Sequence, residues 1–230
     1  MMKNYFRAVF LLLFLAMGFT YYHDQKESQP VVSVIKNSKG EPTISRIDVI
    51  PSRDEQATSV DLVRTSDVPL FLQTANEWKD ISYGSDGDRN IAENGCAIVT
   101  LAMVGNYYGL ESTPSTIKDW AQEDYYVEGA GTSWEIFGDF ALEHDLEFLN
   151  LGNDIEWAKE ELSKGHLVVV SVDVSQFTEV GHIMLLTGVK DNQFSLNDPN
   201  DDEETKFHNY NWHDSDIIEG AAINYWSYSL

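Results

Sequence analysis

The chain has 230 residues and is strongly acidic, with 38 aspartates and glutamates, 15 lysines and arginines, and a formal net charge of −23. A surface of this charge repels the phosphates of nucleic acid, so the composition excludes a nucleic-acid-binding protein. The sequence contains a single cysteine, which excludes a disulfide bond within the chain.

The N-terminal segment has the pattern of a secretion signal. It contains two positive charges, Lys3 and Arg7, no acidic residue, and an uninterrupted apolar stretch from Ala8 to Thr20. This stretch is about as long as the apolar core of a signal peptide. We therefore expect residues 1–20 to be a signal peptide or, if uncleaved, a membrane anchor through residues 8–20. We expect the protein to be extracellular or at the cell surface.

Residues 21–66 combine polar and charged residues with short apolar pieces and show no sustained period. This composition predicts a tether or a loosely structured extension. From Val68 onward the apolar periodicity and the aromatic content rise. Residues 67–230 are therefore predicted to form one compact domain with its own core, and we expect it to be monomeric.

The first half of this domain has the pattern of helices. Residues typical of helix starts and ends, including a capping-box pattern from Thr132 to Glu135, delimit the segments. Four helices are predicted: Cys96 to Gly109, Thr113 to Glu123, Thr132 to Asp145, and Asn153 to Gly165.

The second half has valine-rich and β-branched segments typical of strands. Four strands are predicted: Leu167 to Val174, His182 to Lys190, Gln193 to Asn197, and Ala221 to Tyr228. Helices followed by neighbouring strands predict an α+β fold, with an N-terminal helical half packed on a C-terminal antiparallel sheet.

The single cysteine, Cys96, stands where an apolar helix is predicted to begin, directly after Gly95. The unpaired N–H groups of a first helical turn, with the positive end of the helix dipole, favour a thiolate. The acidic surface disfavours a thiolate, so any activation must be local. Cys96 is therefore a candidate nucleophile, and an inert core cysteine is the alternative.

A cysteine nucleophile needs a base and a group that orients the base. Among the six histidines, His182 begins an apolar strand after Gly181, where a polar ring at the edge of a core must be paired. His182 is the candidate base, and a hydrogen-bonded core histidine is the alternative. His208 and His213 lie in an acid-rich stretch that suits a loop role or a weak metal contact.

The hairpin that follows His182 determines which residue can orient its ring. If Asp191-Asn192 is a simple two-residue turn, Asn197 lies on the same face as His182. One extra loop or bulge residue reverses the side chains and brings Asp198 to that face. Spacing alone leaves Asn197 and Asp198 as alternative orienting residues.

Several motifs together resemble one known family. They are Asn94-Gly95-Cys96-Ala97, Leu101-Ala102-Met103, Gly181-His182-Ile183 and Asn197-Asp198-Pro199. In this order they resemble the peptidase C39-like family of papain-like cysteine peptidases, in its free-standing, exported branch. The resemblance spans about residues 68–228.

The resemblance implies a papain-like fold and a thiol hydrolase that cuts peptide bonds through a thioester acyl-enzyme. It implies Cys96 as the nucleophile, His182 as general base and then general acid, and Asp198 as the orienting residue. The substrate is then a peptide or a protein.

The resemblance also implies a glutamine upstream of the cysteine as the donor to the oxyanion, and Gln73 matches that position. The separation from Gln73 to Cys96 is long, so Asn90 and Asn94 remain alternative donors. No cofactor and no metal ion are implied.

Two other functions fit the same residues. An amidase or acyl-transfer enzyme acting on cell-wall peptides would use the same triad, because these reactions share an acyl-enzyme and differ in the acceptor. A catalytically silent binding module would keep the fold without using the thiol.

Overall fold

The computed structural model describes residues 34–36, 42–44, 63–64, 67–84, 89–202 and 206–230. The predicted signal segment, residues 1–20, lies outside these ranges, as does most of the predicted extension at residues 21–66. Three short strands are described within that extension: β1 (Val34–Lys36), β2 (Pro42–Ile44) and β3 (Val63–Arg64). No helix in the described ranges is both long and apolar enough to cross a membrane.

All four predicted helices are present, as α2 to α5, with ends within a few residues of those predicted. The described helices are α1 (Ile91–Asn94), α2 (Cys96–Tyr107), α3 (Pro114–Ala121), α4 (Glu135–Glu143), α5 (Ile155–Ser163) and α6 (Ser215–Ala221). Thr113 and Asp154 cap α3 and α5 by accepting hydrogen bonds from backbone N–H groups. The sequence patterns do not predict α1 and α6, because four and seven residues are too few to show a helical period.

The capping box predicted from Thr132 to Glu135 is wrong, although the helix that it introduces is present. The N-cap residue of α4 is Trp134. The Thr132 hydroxyl lies 2.9 Å from the Tyr83 hydroxyl instead. Thr132 does not cap α4 because it belongs to β5 (Gly131–Thr132). This strand pairs with β4 (Tyr126–Val127) in a short hairpin before the helix.

The second half of the domain forms an antiparallel sheet. Its strands are β6 (Glu147–Gly152), β7 (Leu167–Val172), β8 (His182–Lys190), β9 (Gln193–Asn197), β10 (His213–Asp214) and β11 (Ala222–Ser229). In the described ranges they lie in the order β10-β9-β8-β7-β11-β6, and β3 pairs with β8 as the seventh strand. The structure confirms the predicted α+β class and the antiparallel sheet, and it adds β3, β6 and β10 to the predicted strands.

Helices cover both faces of this sheet. On one face, α2, α3 and α4 pack against Leu167, Val169 and other side chains of β7, β8 and β11. On the other face, α5 and α6 pack against Val168, Val170 and their neighbours. Because successive strand residues point to opposite faces, β7 is buried along its whole length. The helical half therefore packs on the sheet as predicted, while α5 lies on the opposite face.

The junction between α1 and α2 places Cys96 at a helix start. Gly95 separates the two helices, and a Cβ atom added there would lie 2.5 Å from the Ile91 carbonyl oxygen and 2.6 Å from the Ile91 Cγ2 atom. Contacts this short with backbone force a shift of one helix against the other. The close approach therefore requires glycine immediately before Cys96.

We expect Gly95→Ala to lower the free energy of unfolding by about 1–3 kcal/mol, because the added methyl group has no room. Gly138→Ala in α4 is the matched control, since its added Cβ would meet the Phe148 ring at an ordinary 3.6 Å. That control should be neutral or stabilising by up to about 1 kcal/mol through helix propensity. Urea unfolding of both variants measures the difference, and equal effects would contradict the steric explanation.

Candidate active site

Cys96 is the first residue of α2 and is only partly buried, while the residues that follow it are almost all in the core. Gly95 has no side chain to occupy the N–H groups of the first turn. The backbone N–H groups of Ala97 and Ile183 lie close enough to hydrogen-bond the sulfur. The helix start thus presents the sulfur of a partly buried cysteine to these donors and to the positive end of the helix dipole.

His182 is the first residue of β8, with 6% of its surface exposed. The first residues of β8 pair with β7, so the backbone at His182 is held within the sheet. Its Nε2 atom lies 2.7 Å from Oδ1 of Asp198, and its ring is within hydrogen-bonding reach of the Cys96 sulfur. Because Asp198 occupies Nε2, the nitrogen that faces the sulfur is Nδ1.

The pKa values of Cys96 and His182 move in opposite directions. Burial by itself raises the pKa of the Cys96 thiol, but the hydrogen bond and charge of His182 and the nearby N–H groups lower it below its ordinary value. Burial by itself lowers the pKa of His182, but hydrogen bonds to Asp198 and Cys96 raise it to about 9. At neutral pH this geometry favours a thiolate paired with an imidazolium, a nucleophile beside a proton donor.

A bulge in β8 decides which residue faces His182. Asp191 and Asn192 both have positive φ, 47° and 64°, as a type I′ hairpin turn requires. The register then shifts between Leu186 and Gly188, which leaves Thr187 as an extra residue in β8. The shift moves the residue at the end of β9 by one position relative to β8, so Asp198 reaches the face of the histidine.

Asp198 is completely buried, and its carboxylate accepts hydrogen bonds at both oxygens. Oδ1 accepts from His182 Nε2 at 2.7 Å and from the Asn200 backbone N–H at 2.8 Å, and Oδ2 accepts from His208 Nδ1 at 2.8 Å. Burial by itself raises the pKa of this carboxyl, but these donors lower the pKa of Asp198 well below its ordinary value. The group beside His182 is therefore a carboxylate.

Asn197, the alternative orienting residue, points away from His182. Its side-chain N–H groups donate to the Pro69 carbonyl oxygen at 3.1 Å and to the Met103 sulfur at 3.7 Å. Asn197 thus ties β9 to the N-terminal part of the domain and to α2.

Gln73, the first candidate for the oxyanion donor, lies between the segments that carry the other site residues. Its side-chain amide donates to the Ala92 carbonyl oxygen at 2.5 Å, and its backbone N–H donates to the Pro199 carbonyl oxygen at 2.7 Å. Ala92 precedes Cys96 by four residues, and Pro199 directly follows Asp198. The side chain is 3% exposed, and no described group pairs with its Oε1 atom.

Asn90 and Asn94, the alternative donors, take part in the local structure of α1. Asn90 caps α1 by accepting a hydrogen bond from the Glu93 N–H at 3.2 Å. Asn94 donates to the Tyr83 carbonyl oxygen at 3.1 Å. Of the three amides, Gln73 is the one fixed by contacts to both the Cys96 and the Asp198 segments.

His208 is the site residue that sequence reasoning missed. It lies on a short 3₁₀ helix, His208–Tyr210, and its ring donates to Asp198. Its position ten residues after Asp198, in an acid-rich stretch, matches no known spacing and carries no signal of this contact. Within the described ranges, no group of three His, Cys, Asp or Glu side chains is arranged as a metal site.

Alkylation of Cys96 by iodoacetamide is expected to persist to lower pH than that of free cysteine, since His182 and the nearby N–H groups lower the thiol pKa. His182→Ala removes the hydrogen bond and the charge that lower this pKa. The pH of the half-maximal alkylation rate should then move to a higher value. His144→Ala, the same change at the end of α4, should keep the wild-type profile, and an unchanged profile in His182→Ala would contradict the pairing.

Similarity to known proteins is found in a family model and among solved structures. No curated protein sequence matches the chain significantly. Among solved structures, a C39-like peptidase from Bacillus anthracis aligns with 74% of this chain and 98% of its own, at 15% identity and a TM-score of 0.48. The peptidase domain of Streptococcus ComA, a bifunctional ABC transporter involved in quorum sensing, aligns with 59% and 90%, at 16% identity and a TM-score of 0.45.

A double glycine motif protease from an AMS/PCAT transporter, solved with its leader peptide, aligns with 57% of this chain and 81% of its own, at 18% identity and a TM-score of 0.41. All three TM-scores lie below 0.5. The model of the Peptidase_C39 like family matches residues 65–226, most of the chain. The chain therefore belongs to the Peptidase_C39 like family, and it is a cysteine peptidase.

Proposed function

We propose that this protein is an exported peptidase that hydrolyses peptide bonds through Cys96, His182 and Asp198. The observation that carries the proposal is the line of groups from the Cys96 sulfur through the His182 ring to a buried carboxylate, with 2.7 Å between His182 Nε2 and Asp198 Oδ1. A thiolate, a proton carrier and a fixed acceptor are the three parts that acyl transfer from an amide requires.

In the first half of the reaction, the Cys96 thiolate attacks the carbonyl carbon of the substrate amide and a C–S bond forms. The carbonyl oxygen becomes an oxyanion. His182, as the imidazolium, gives its Nδ1 proton to the departing amine as the C–N bond breaks. A thioester remains on Cys96, and the ring is left neutral.

In the second half, the neutral His182 ring takes a proton from water as that water attacks the thioester. The C–S bond breaks, the substrate carboxylic acid leaves, and the thiolate–imidazolium pair is restored. Asp198 accepts a hydrogen bond from the Nε2–H group throughout, which keeps Nδ1 directed at the sulfur and stabilises the charged ring.

Gln73 is our proposed donor to the oxyanion. Its side-chain nitrogen carries two hydrogens, and the Ala92 carbonyl oxygen accepts one of them. The second hydrogen remains for an oxygen that appears only in the transition state. The backbone N–H of Cys96, at the start of α2, is a second donor to the same oxygen.

Export is supported by the apolar stretch from Ala8 to Thr20 and its basic flank. Protein collected from the culture medium, with its N-terminus sequenced beyond this stretch, is expected to cleave members of a mixed peptide library, as followed by mass spectrometry. Cys96→Ala should lose all cleavage, because the thioester cannot form. His144→Ala, collected from the medium in the same way, is the control and should cleave the library as the wild type does.

The same experiment separates the competing functions. Release of ammonia, or transfer of the acyl group to an amine without net hydrolysis, would replace the peptidase proposal with an amidase or an acyl-transfer enzyme. A wild-type protein that binds peptides as tightly as Cys96→Ala and releases no product would be a binding module, and would refute the enzyme proposal.

Gln73→Ala is expected to lower kcat by about 10²–10³ with little change in KM, since the lost hydrogen bond forms only in the transition state. Asn90→Ala is the matched control: it removes the cap of α1, at about 0.5–2 kcal/mol of stability, and should leave kcat close to that of the wild type. If Asn90→Ala has the larger effect on kcat in folded protein, the donor is misassigned.

A further inference from the structure

His208 forms the contact that completes the hydrogen bonding of Asp198. The carboxylate has no exposed surface, and His182 and the Asn200 N–H both bind Oδ1. Nδ1 of His208 lies 2.8 Å from Oδ2. A buried charge without partners is strongly unfavourable, so each oxygen requires a donor. Because an ionised carboxylate only accepts hydrogen bonds, Nδ1 of His208 carries the proton.

The His208 ring is itself held in place by neighbouring side chains. Phe177 contacts it edge to face, with 5.0 Å between the ring centroids. The Nε2 atom of His213 donates to the His208 carbonyl oxygen at 2.9 Å. The ring and backbone of His208 are therefore both fixed, and its Nδ1–H group points toward Asp198.

The next residue, Asn209, fixes the backbone of Asp198. Its Oδ1 atom accepts from the Asp198 N–H at 2.5 Å, and its Nδ2 atom donates to the Asp198 carbonyl oxygen at 3.2 Å. The backbone N–H of Asn209 in turn donates to Asp201 at 2.8 Å. The short helix His208–Tyr210 thus holds Asp198 by both its main chain and its side chain.

We propose that His208 is a positioning residue of the active site, which donates to Oδ2 of Asp198 and thereby fixes the carboxylate plane that orients His182 toward Cys96. A carboxylate rotates easily about its last side-chain bond when nothing fixes it. With Oδ2 held by His208, Oδ1 stays directed at His182 Nε2. The proton carrier is then kept in the tautomer and orientation that the proposed peptidase reaction needs, on which this inference rests.

The test compares His208→Phe, which keeps a planar ring but has no donor, with His208→Gln, whose amide can donate. We expect His208→Phe to lower kcat/KM and the rate of Cys96 alkylation at neutral pH by about 10- to 100-fold, the size of one charge-assisted hydrogen bond. His208→Gln should recover most of both rates. Thermal unfolding of each variant separates this effect from loss of the fold.

The matched control is His166→Phe. The His166 ring also pairs with a buried carboxylate, Glu161, through Nδ1 at 2.7 Å. His166 directly precedes Leu167, the first residue of β7. The active site lies at the other end of this strand, where Val172 pairs with His182. His166→Phe should therefore leave both rates unchanged.

Two further measurements decide between positioning and general support of the fold. In an Asp198→Ala background, His208→Phe should cause no additional loss of alkylation rate, because His208 acts through Asp198. An additive loss would overturn the proposal. In the wild-type chain, NMR should detect a strongly downfield Nδ1 proton on His208, and its absence would overturn the proposal even if His208→Phe does not fold.

The outcomes distinguish this inference from the function on which it rests. If Cys96 of the wild type is alkylated rapidly, the wild type cleaves peptides, and His208→Phe has the same alkylation rate and kcat/KM, the positioning role is refuted. The peptidase proposal then stands. If the wild type neither cleaves peptides nor alkylates faster than free cysteine, the peptidase proposal is refuted, and the role of His208 with it.

Discussion

The negative charge on Asp198 is held in a place that water does not reach, and much of the surrounding structure serves to compensate it. Two histidine rings and a backbone N–H bind its oxygens, and the side chain of Asn209 binds its main chain. Each of these donors comes from a segment after the helical half of the domain. The hairpin of β8 and β9 and the short helix after it are therefore organised around one carboxylate, and the helical half contributes the sulfur.

This arrangement explains how a strongly acidic protein can favour a thiolate. A net charge of −23 acts against ionisation of a thiol everywhere on the molecule. At Cys96 the deciding interactions are short-range ones: the charge of His182 and the N–H groups of Ile183 and Ala97. Salt screens the distant carboxylates and has little effect on these contacts, which lie well inside a Debye length. The thiolate therefore depends on the few ångströms around the sulfur.

The predictability of the site from sequence differs among its residues for physical reasons. Cys96 and His182 are nominated by local patterns, a helix start and an apolar strand, and each pattern also fits a core residue without a catalytic role. The choice between Asn197 and Asp198 depends on a bulge at Thr187, and a bulge is decided by packing across the sheet and not by spacing along the chain. Thr187 pairs its hydroxyl with that of Ser195, a contact that exists only once the strands meet.

Other parts of the fold have even weaker local signals. The two-residue strand β10 and the short helix at His208–Tyr210 have too few residues to show a period. Strand β6 follows a predicted helix end, and its burial is irregular, so alternation does not reveal it. His208 reaches Asp198 only because this irregular segment folds back over the end of β9. No pattern within the segment itself encodes that return.

The bulge at Thr187 also has a consequence for how such a site can change over generations. Loss of a single codon in this part of β8 would restore the simple register and turn the end of β9 by one position. The amide of Asn197 would then face His182 in place of the carboxylate of Asp198. Both residues would still be present in the sequence. The length of β8 thus determines whether a carboxylate or an amide faces the imidazole. An insertion or deletion in this strand can exchange the two groups without any substitution.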